Sequence, residues 1–156
     1  MATTISNATL TVTLTESVTL NGSEQGATNT LSISNIDEVY KRIVTVPTSE
    51  VTLIEMSTAV ANGTFIESDV LYIRITNKDD TNHVSLTFKN EDNDEMGIKL
   101  DKGQSFIYNG DLSGGVVDTF DANAGAVTPG THADLVNITG IANTAAVDVE
   151  VFVACK

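Results

Sequence analysis

The sequence predicts an all-β fold, an antiparallel β-sandwich that also admits a jelly-roll-like connectivity, on three observations. Apolar residues recur with a period of two, the β-branched residues Thr, Val and Ile dominate those runs, and turn signals arrive about every 8–12 residues. No amphipathic segment is long enough to be the helix that joins parallel strands, so βαβ units are excluded. Local pattern leaves the connectivity open. Residues 1–156 read as a single domain with a flexible N-terminal segment over about residues 1–8. A chain of this length hides roughly two thirds of its unfolded surface, enough for a core without disulfides or metals.

Leu10, Val12 and Leu14 alternate with Thr9, Thr11, Thr13 and Thr15, which predicts a strand whose threonines face water or a partner. Val18, Thr19 and Leu20 run into Asn21-Gly22, a pair suited to the positive φ angles of a type I′ turn, so the chain reverses there. After a polar stretch over residues 23–29, Leu31 and Ile33 mark a short strand and residues 38–46 a longer one. Pro47 removes a ladder donor and punctuates it before residues 51–56 resume extended character. Leu71, Ile73 and Ile75 alternate with Tyr72, Arg74 and Thr76, and Val84, Leu86 and Phe88 alternate with Ser85, Thr87 and Lys89. With Asn and Asp bonding their own backbone between the two runs, they read as a hairpin. An acidic turn over residues 90–95 leads to Met96, Ile98 and Leu100, and a turn over residues 101–104 leads to residues 105–108, so the meander continues. Residues 110–131 form a long loop around a weak strand at residues 116–120, of a length that usually serves function. Thr131-His132-Ala133-Asp134 resembles a capping box and allows one helical turn. Extended structure follows over residues 135–141. In the final strand Val147, Val149, Val151 and Val153 share one face while Asp148 and Glu150 take the other.

The composition, 41% hydrophobic and 19% charged, favours collapse over disorder. Eight Lys+Arg against 21 Asp+Glu give a net charge of -13, which repels a polyanion, so no nucleic-acid partner is expected. No uncharged run has the hydrophobicity of a membrane span, and no basic segment precedes an apolar one at the N-terminus. No membrane partner is expected, and the chain is placed in the cytoplasm until lysis. Cys155 is the one cysteine, so neither an intrachain disulfide nor a cysteine-based zinc cluster forms.

The search for chemistry yields little. His83 and His132 are the two histidines, and no serine sits in a nucleophile elbow. His83 reads as a strand-edge residue and His132 as a loop residue. The carboxylate groups Asp79/Asp80, Asp92/Asp94/Glu95 and Asp118/Asp121 fall in or beside turns, where solvated acids keep ordinary pKa values unsuited to general acid work. Asn90, Asp92 and Asp94 have the alternating spacing of oxygen ligands for calcium, but the turn lacks the glycine and bidentate glutamate of an EF-hand loop. They stand as weak metal candidates beside the favoured reading as turn formers. Lys41-Arg42 and Arg74 read as balancing nearby carboxylates. No phosphate loop or dinucleotide fingerprint is present, so neither a cofactor nor an enzymatic activity is expected.

Three stretches are distinctive together. They are Leu20-Asn21-Gly22-Ser23-Glu24-Gln25-Gly26 with Val39-Tyr40-Lys41-Arg42-Ile43-Val44-Thr45-Val46-Pro47-Thr48; Tyr72-Ile73-Arg74-Ile75-Thr76-Asn77 through Asp80-Thr81-Asn82 to Lys99-Leu100-Asp101-Lys102-Gly103-Gln104-Ser105-Phe106; and Ile141-Ala142-Asn143-Thr144-Ala145-Ala146 continuing to Ala154. In them the chain resembles small β-rich virion structural proteins of tailed, especially marine, bacteriophages. The resemblance implies a non-enzymatic β-sandwich present in many copies on the virion. Its implied role is a capsid decoration or cement protein that self-associates, as trimers by preference, and binds the major capsid protein or another virion protein. The alternatives are a tail, neck or fibre component, a carbohydrate-binding adhesin domain and a calcium-dependent hydrolase. With no Trp and only Tyr40, Tyr72 and Tyr108, the aromatic platform for sugars is small. The interface candidates are Thr9, Thr11, Thr13 and Thr15 with Ala124 in the Gly/Ala-rich loop, where small residues permit close approach.

Overall fold

The computed structural model describes residues 5–121, 125–128 and 130–156. Thirteen strands follow one another: β1 (Ala8–Thr15), β2 (Thr19–Leu20), β3 (Ser23–Glu24), β4 (Thr28–Ile36), β5 (Glu38–Val46), β6 (Val51–Ser57), β7 (Phe65–Ile66), β8 (Val70–Asn77), β9 (Val84–Asn90), β10 (Glu95–Leu100), β11 (Ser105–Asn109), β12 (Leu135–Ala142) and β13 (Val147–Cys155). No helix occurs among the described residues. The chain is all-β and its sheets are antiparallel apart from the short parallel pairing of β7 with β6.

One sheet has the order β11-β8-β13-β5 and the other β10-β9-β12-β6-β7. The chain changes sheet at β5 to β6, β6 to β8, β8 to β9, β10 to β11 and between β11, β12 and β13. With β7 set aside, this four-on-four order is that of a jelly roll. Val147, Val149, Val151 and Val153, beside Ile73 and Ile75 of the same sheet, pack with Val84, Leu86, Phe88 and Ile138 of the other in one core between the sheets. The expectation for the final strand therefore holds residue by residue.

Three expectations change. The runs at residues 71–75 and 84–88 are not a hairpin, because β8 and β9 lie in opposite sheets, and the turn at residues 101–104 is likewise a corner. Strands facing one another across a core show the same period-two pattern as paired strands, so alternation alone does not separate the cases. The discriminating residue is Asn77. Fully buried, its side chain donates to the carbonyls of Asn82 (2.9 Å) and Leu100 (3.1 Å) and accepts from the Asp79 amide (2.9 Å), tying both corners together. Second, Leu71 does not share a face with Ile73. A bulge opposite the end of β13 lets Val70 point into the sandwich while Leu71 and Tyr72 both join a second cluster on the outer face. Third, neither the strand at residues 116–120 nor the helical turn at 131–134 forms. Those segments meet through the bridge Phe120–Ala133, and Val116 plugs the core.

The second cluster explains β1 and β4. Among the described residues they pair only with each other, as a two-stranded ribbon laid across the outer face of the β11-β8-β13-β5 sheet. Ile33 and Ile36 are buried there against Leu71, Tyr72 and Ala154, with Leu10, Val12 and Leu31 half-buried beside them. β4 is longer than expected because Thr28, Asn29 and Thr30 pair with Thr15, Leu14 and Thr13, and that ladder overrides their loop-like polarity. The flexible N-terminal segment falls partly on residues 1–4, outside the described residues; its last residue, Ala8, opens β1 opposite Ile36.

Candidate functional site

The ribbon concentrates the features that distinguish this molecule. On its outward face Thr11, Thr13 and Thr15 stand opposite Ser32, Thr30 and Thr28, and all six are exposed, as is Thr9 at the bulge near the ribbon's base. The structure thus brings four predicted interface residues, Thr9, Thr11, Thr13 and Thr15, onto one surface. It adds the hydroxyl column of β4, Thr28, Thr30 and Ser32, of which the sequence places Thr28 in a polar stretch and Ser32 in a short strand. The signal was present in the period-two spacing of Thr28, Thr30 and Ser32 around Leu31 and Ile33. Ala124 lies outside the described residues.

Not one of the 17 residues of β1 (8 residues) and β4 (9 residues) is charged, on a chain with a net charge of -13. Among the described residues each strand also leaves one side of its ladder unpaired. Free edges are normally blunted by charge, proline or bulges; these carry neither charge nor proline, and one bulge near the base. Toward the tip the ribbon rises from the sheet, and Leu14, Val18 and Leu20 are each more than half exposed. Beneath it, an apolar groove of about 350 Å³ runs between Leu14, Leu31, Tyr72 and Ile107.

A tight turn and hydrogen bonds at the neck hold the tip. Asn21 and Gly22 have φ of 50° and 79°, the type I′ turn expected from the pair. At the neck the Glu24 carboxylate accepts from the amides of Gly26 (2.8 Å) and Val18 (3.1 Å), and these backbone bonds, that to Gly26 first, hold its pKa below the usual range. The Glu16 amide donates to Ala27 (2.8 Å), and the strands approach so closely that a Cβ on Gly26 would lie 2.0 Å from the Glu16 carbonyl oxygen.

Elsewhere the polar residues serve turns. Asn90 is buried, and its side-chain oxygen accepts from the Asp94 backbone amide (2.8 Å) while its backbone amide donates to the Asp94 carbonyl (3.1 Å). Asn90, Asp92 and Asp94 therefore sit on one turn with the Asn90 oxygen engaged by backbone. Among the described residues no three His, Cys, Asp or Glu side chains converge as a metal site requires. The Asp79 carboxylate accepts from the amides of Asn82 and Thr81, which lower its pKa, and Asp118 donates its amide to Asp134 (2.6 Å). Neither His83 nor His132 hydrogen-bonds through its ring to a serine or a carboxylate among the described residues.

Two acids have environments that sequence reading did not anticipate. Glu67 is buried, and desolvation, then the charges of Asp134 and Glu91, push its pKa up. Glu150 lies across the outer sheet face from Arg74, 2.5 Å from its guanidinium, with Lys41 at 3.5 Å; the Arg74 hydrogen bond leads the effects that lower its pKa. Lys41 and Arg74 thus balance a carboxylate as expected. Arg42 does not: it lies over the Tyr40 ring at 6.0 Å. Burial pushes the Cys155 thiol up to about 12, which leaves it unreactive at neutral pH.

Comparison of the chain with protein-family models, with curated proteins and with solved structures finds no match in any of the three.

Proposed function

We propose that this protein is a non-enzymatic structural subunit of a bacteriophage virion, a capsid decoration protein that self-associates, as trimers by preference, and docks on the major capsid protein. The observation that carries the reading is the uncharged, open-edged ribbon of β1 and β4 on a molecule of net charge -13. Copies so strongly acidic repel one another over most of their surface, and the ribbon is where close approach costs least. Its small hydroxyl side chains let backbones come near, and its free ladder edges offer hydrogen bonds to an added strand. The resemblance of the three stretches to phage virion proteins supplies the biological setting, and a jelly-roll core supplies a rigid mount for the ribbon.

Thr13 and Thr30 face each other across the ribbon, so Thr13→Lys and Thr30→Glu place charge at its centre without touching the core. Cosedimentation with purified capsids is expected to recover the wild-type protein and lose both variants, while their thermal melts match the wild type. A wild-type protein that stays monomeric at high concentration and binds neither capsids nor tails would overturn the reading. Binding to tails alone would move the protein to the tail.

A further inference from the structure

A second surface, on the opposite flank of the sandwich, has the chemistry of a ligand site. β5 and β6 are neighbours at one side of the two sheets, and their facing surfaces part toward the Glu38 end of β5. Val46 is fully buried, whereas Glu38 and Arg42 on the same face of β5 are exposed. The gap is a cleft of about 460 Å³, inside the range of roughly 300–1,000 Å³ that holds small organic ligands. β7 and the turn before it close its end, bringing Thr64 and Phe65 against Tyr40, whose ring meets that of Phe65 edge to face at 5.4 Å.

We propose that this cleft binds a neutral polyhydroxylated ligand, the terminal sugars of a glycan. Glu38, Arg42 and Glu55 line one small space, yet Arg42 forms no ion pair with either carboxylate among the described residues. Elsewhere on the molecule Arg74, Lys41 and Glu150 close on each other to 3.5 Å or less. Among the described residues the charged groups of the cleft stay unpaired, and they comprise two acceptors and one five-donor fork. Sugar hydroxyls donate and accept at adjacent positions and match that set. An anion would be repelled by the two glutamates, and a cation would leave the five donors of the guanidinium unmatched. Tyr40 and Phe65 supply the apolar surface against which the C–H face of a sugar ring packs, and Arg42 over Tyr40 makes a planar polar wall beside it.

The test is a glycan array probed with the fluorescently labelled full chain, followed by calorimetric titration with the free oligosaccharide that scores highest, for the wild type, Arg42→Ala, Glu55→Gln and Thr13→Lys. Arg42 and Glu55 are exposed, so both substitutions keep the fold, which thermal melts verify. The wild type is expected to bind neutral glycans, Arg42→Ala and Glu55→Gln to weaken binding at least about tenfold, and Thr13→Lys to bind as the wild type. No array binding, binding restricted to anionic glycans, capture of a peptide library in preference to the array, or affinity unchanged in Arg42→Ala and Glu55→Gln would overturn the proposal. Since Thr13 belongs to the ribbon, loss of capsid binding and loss of glycan binding separate cleanly.

Discussion

Individual side chains set opposite pH responses on two faces of the molecule. Glu67 has its folded pKa raised by burial first, so its contribution is full below the unfolded value of about 4.3 and is lost as pH rises through the folded one. Glu67→Gln should therefore raise the melting temperature at pH 7, with the gain vanishing near pH 4. Glu150 is the reverse case: Arg74 lowers its pKa, so its stabilisation is present at neutral pH and lost as pH falls below the unfolded value. Glu150→Gln should lower the melting temperature at pH 7, on the order of 2–4 °C, and do little at pH 3. Melting curves of both variants across pH 3–8 check both signs. Neither residue announced itself in the sequence, because burial and pairing join Glu67 to Asp134 and Arg74 to Glu150 across folds of chain that local pattern does not specify. Thr11 and Val149, by contrast, were legible, since a strand's alternation fixes which side each takes.

Among the elements, β5 runs over Glu38–Val46 as expected, and β13 shows every predicted inward valine, because a bounded β-branched run leaves little choice. β4 was read short and β8 was misplaced at Leu71 alone, for a common reason: tertiary contact with the ribbon decided both. Pairing with β1 makes strand of Thr28-Asn29-Thr30, and the second cluster accepts Leu71 and Tyr72 together at a bulge that alternation does not foresee. The neck of the ribbon gives a test at this scale. Gly26→Ala forces its new methyl against the Glu16 carbonyl, so the strands there must separate. Amide hydrogen exchange at Glu16 and Gln25, whose donors cross the neck, should accelerate at least about tenfold while the amides of β8 and β13 keep their protection. Acceleration spread evenly over both sheets would mean that the ribbon and the sandwich open as one unit.

For the molecule as a whole, the sandwich class followed from periodicity, whereas the jelly-roll order did not, since hairpins and corner crossings carry the same local signature. The acidic turns belong to this scale too. With the Asn90 oxygen and the Asp79 carboxylate engaged by backbone amides, melts in calcium and in chelator should coincide, and a chelator-induced drop of more than about 5 °C would reveal linked cation binding. The position of β13 between β8 and β5 also governs how the protein comes into being. Its ladder to β5 joins Val147 to Val46 and Cys155 to Glu38, so a central strand of one sheet is the last of the thirteen to be synthesised. Until it arrives, β5 has no neighbour in that sheet and the inner faces of β8 and β9 have no valine ridge to close on. A nascent chain stalled before Val147 therefore exposes sticky, half-built sheet, and refolding from denaturant should be slow, in the millisecond-to-second range of all-β sandwiches, because its closing step spans about a hundred residues. If the chain serves as the decoration subunit proposed, needed in many copies at once, its yield would depend on chaperone capacity during the burst of its own synthesis.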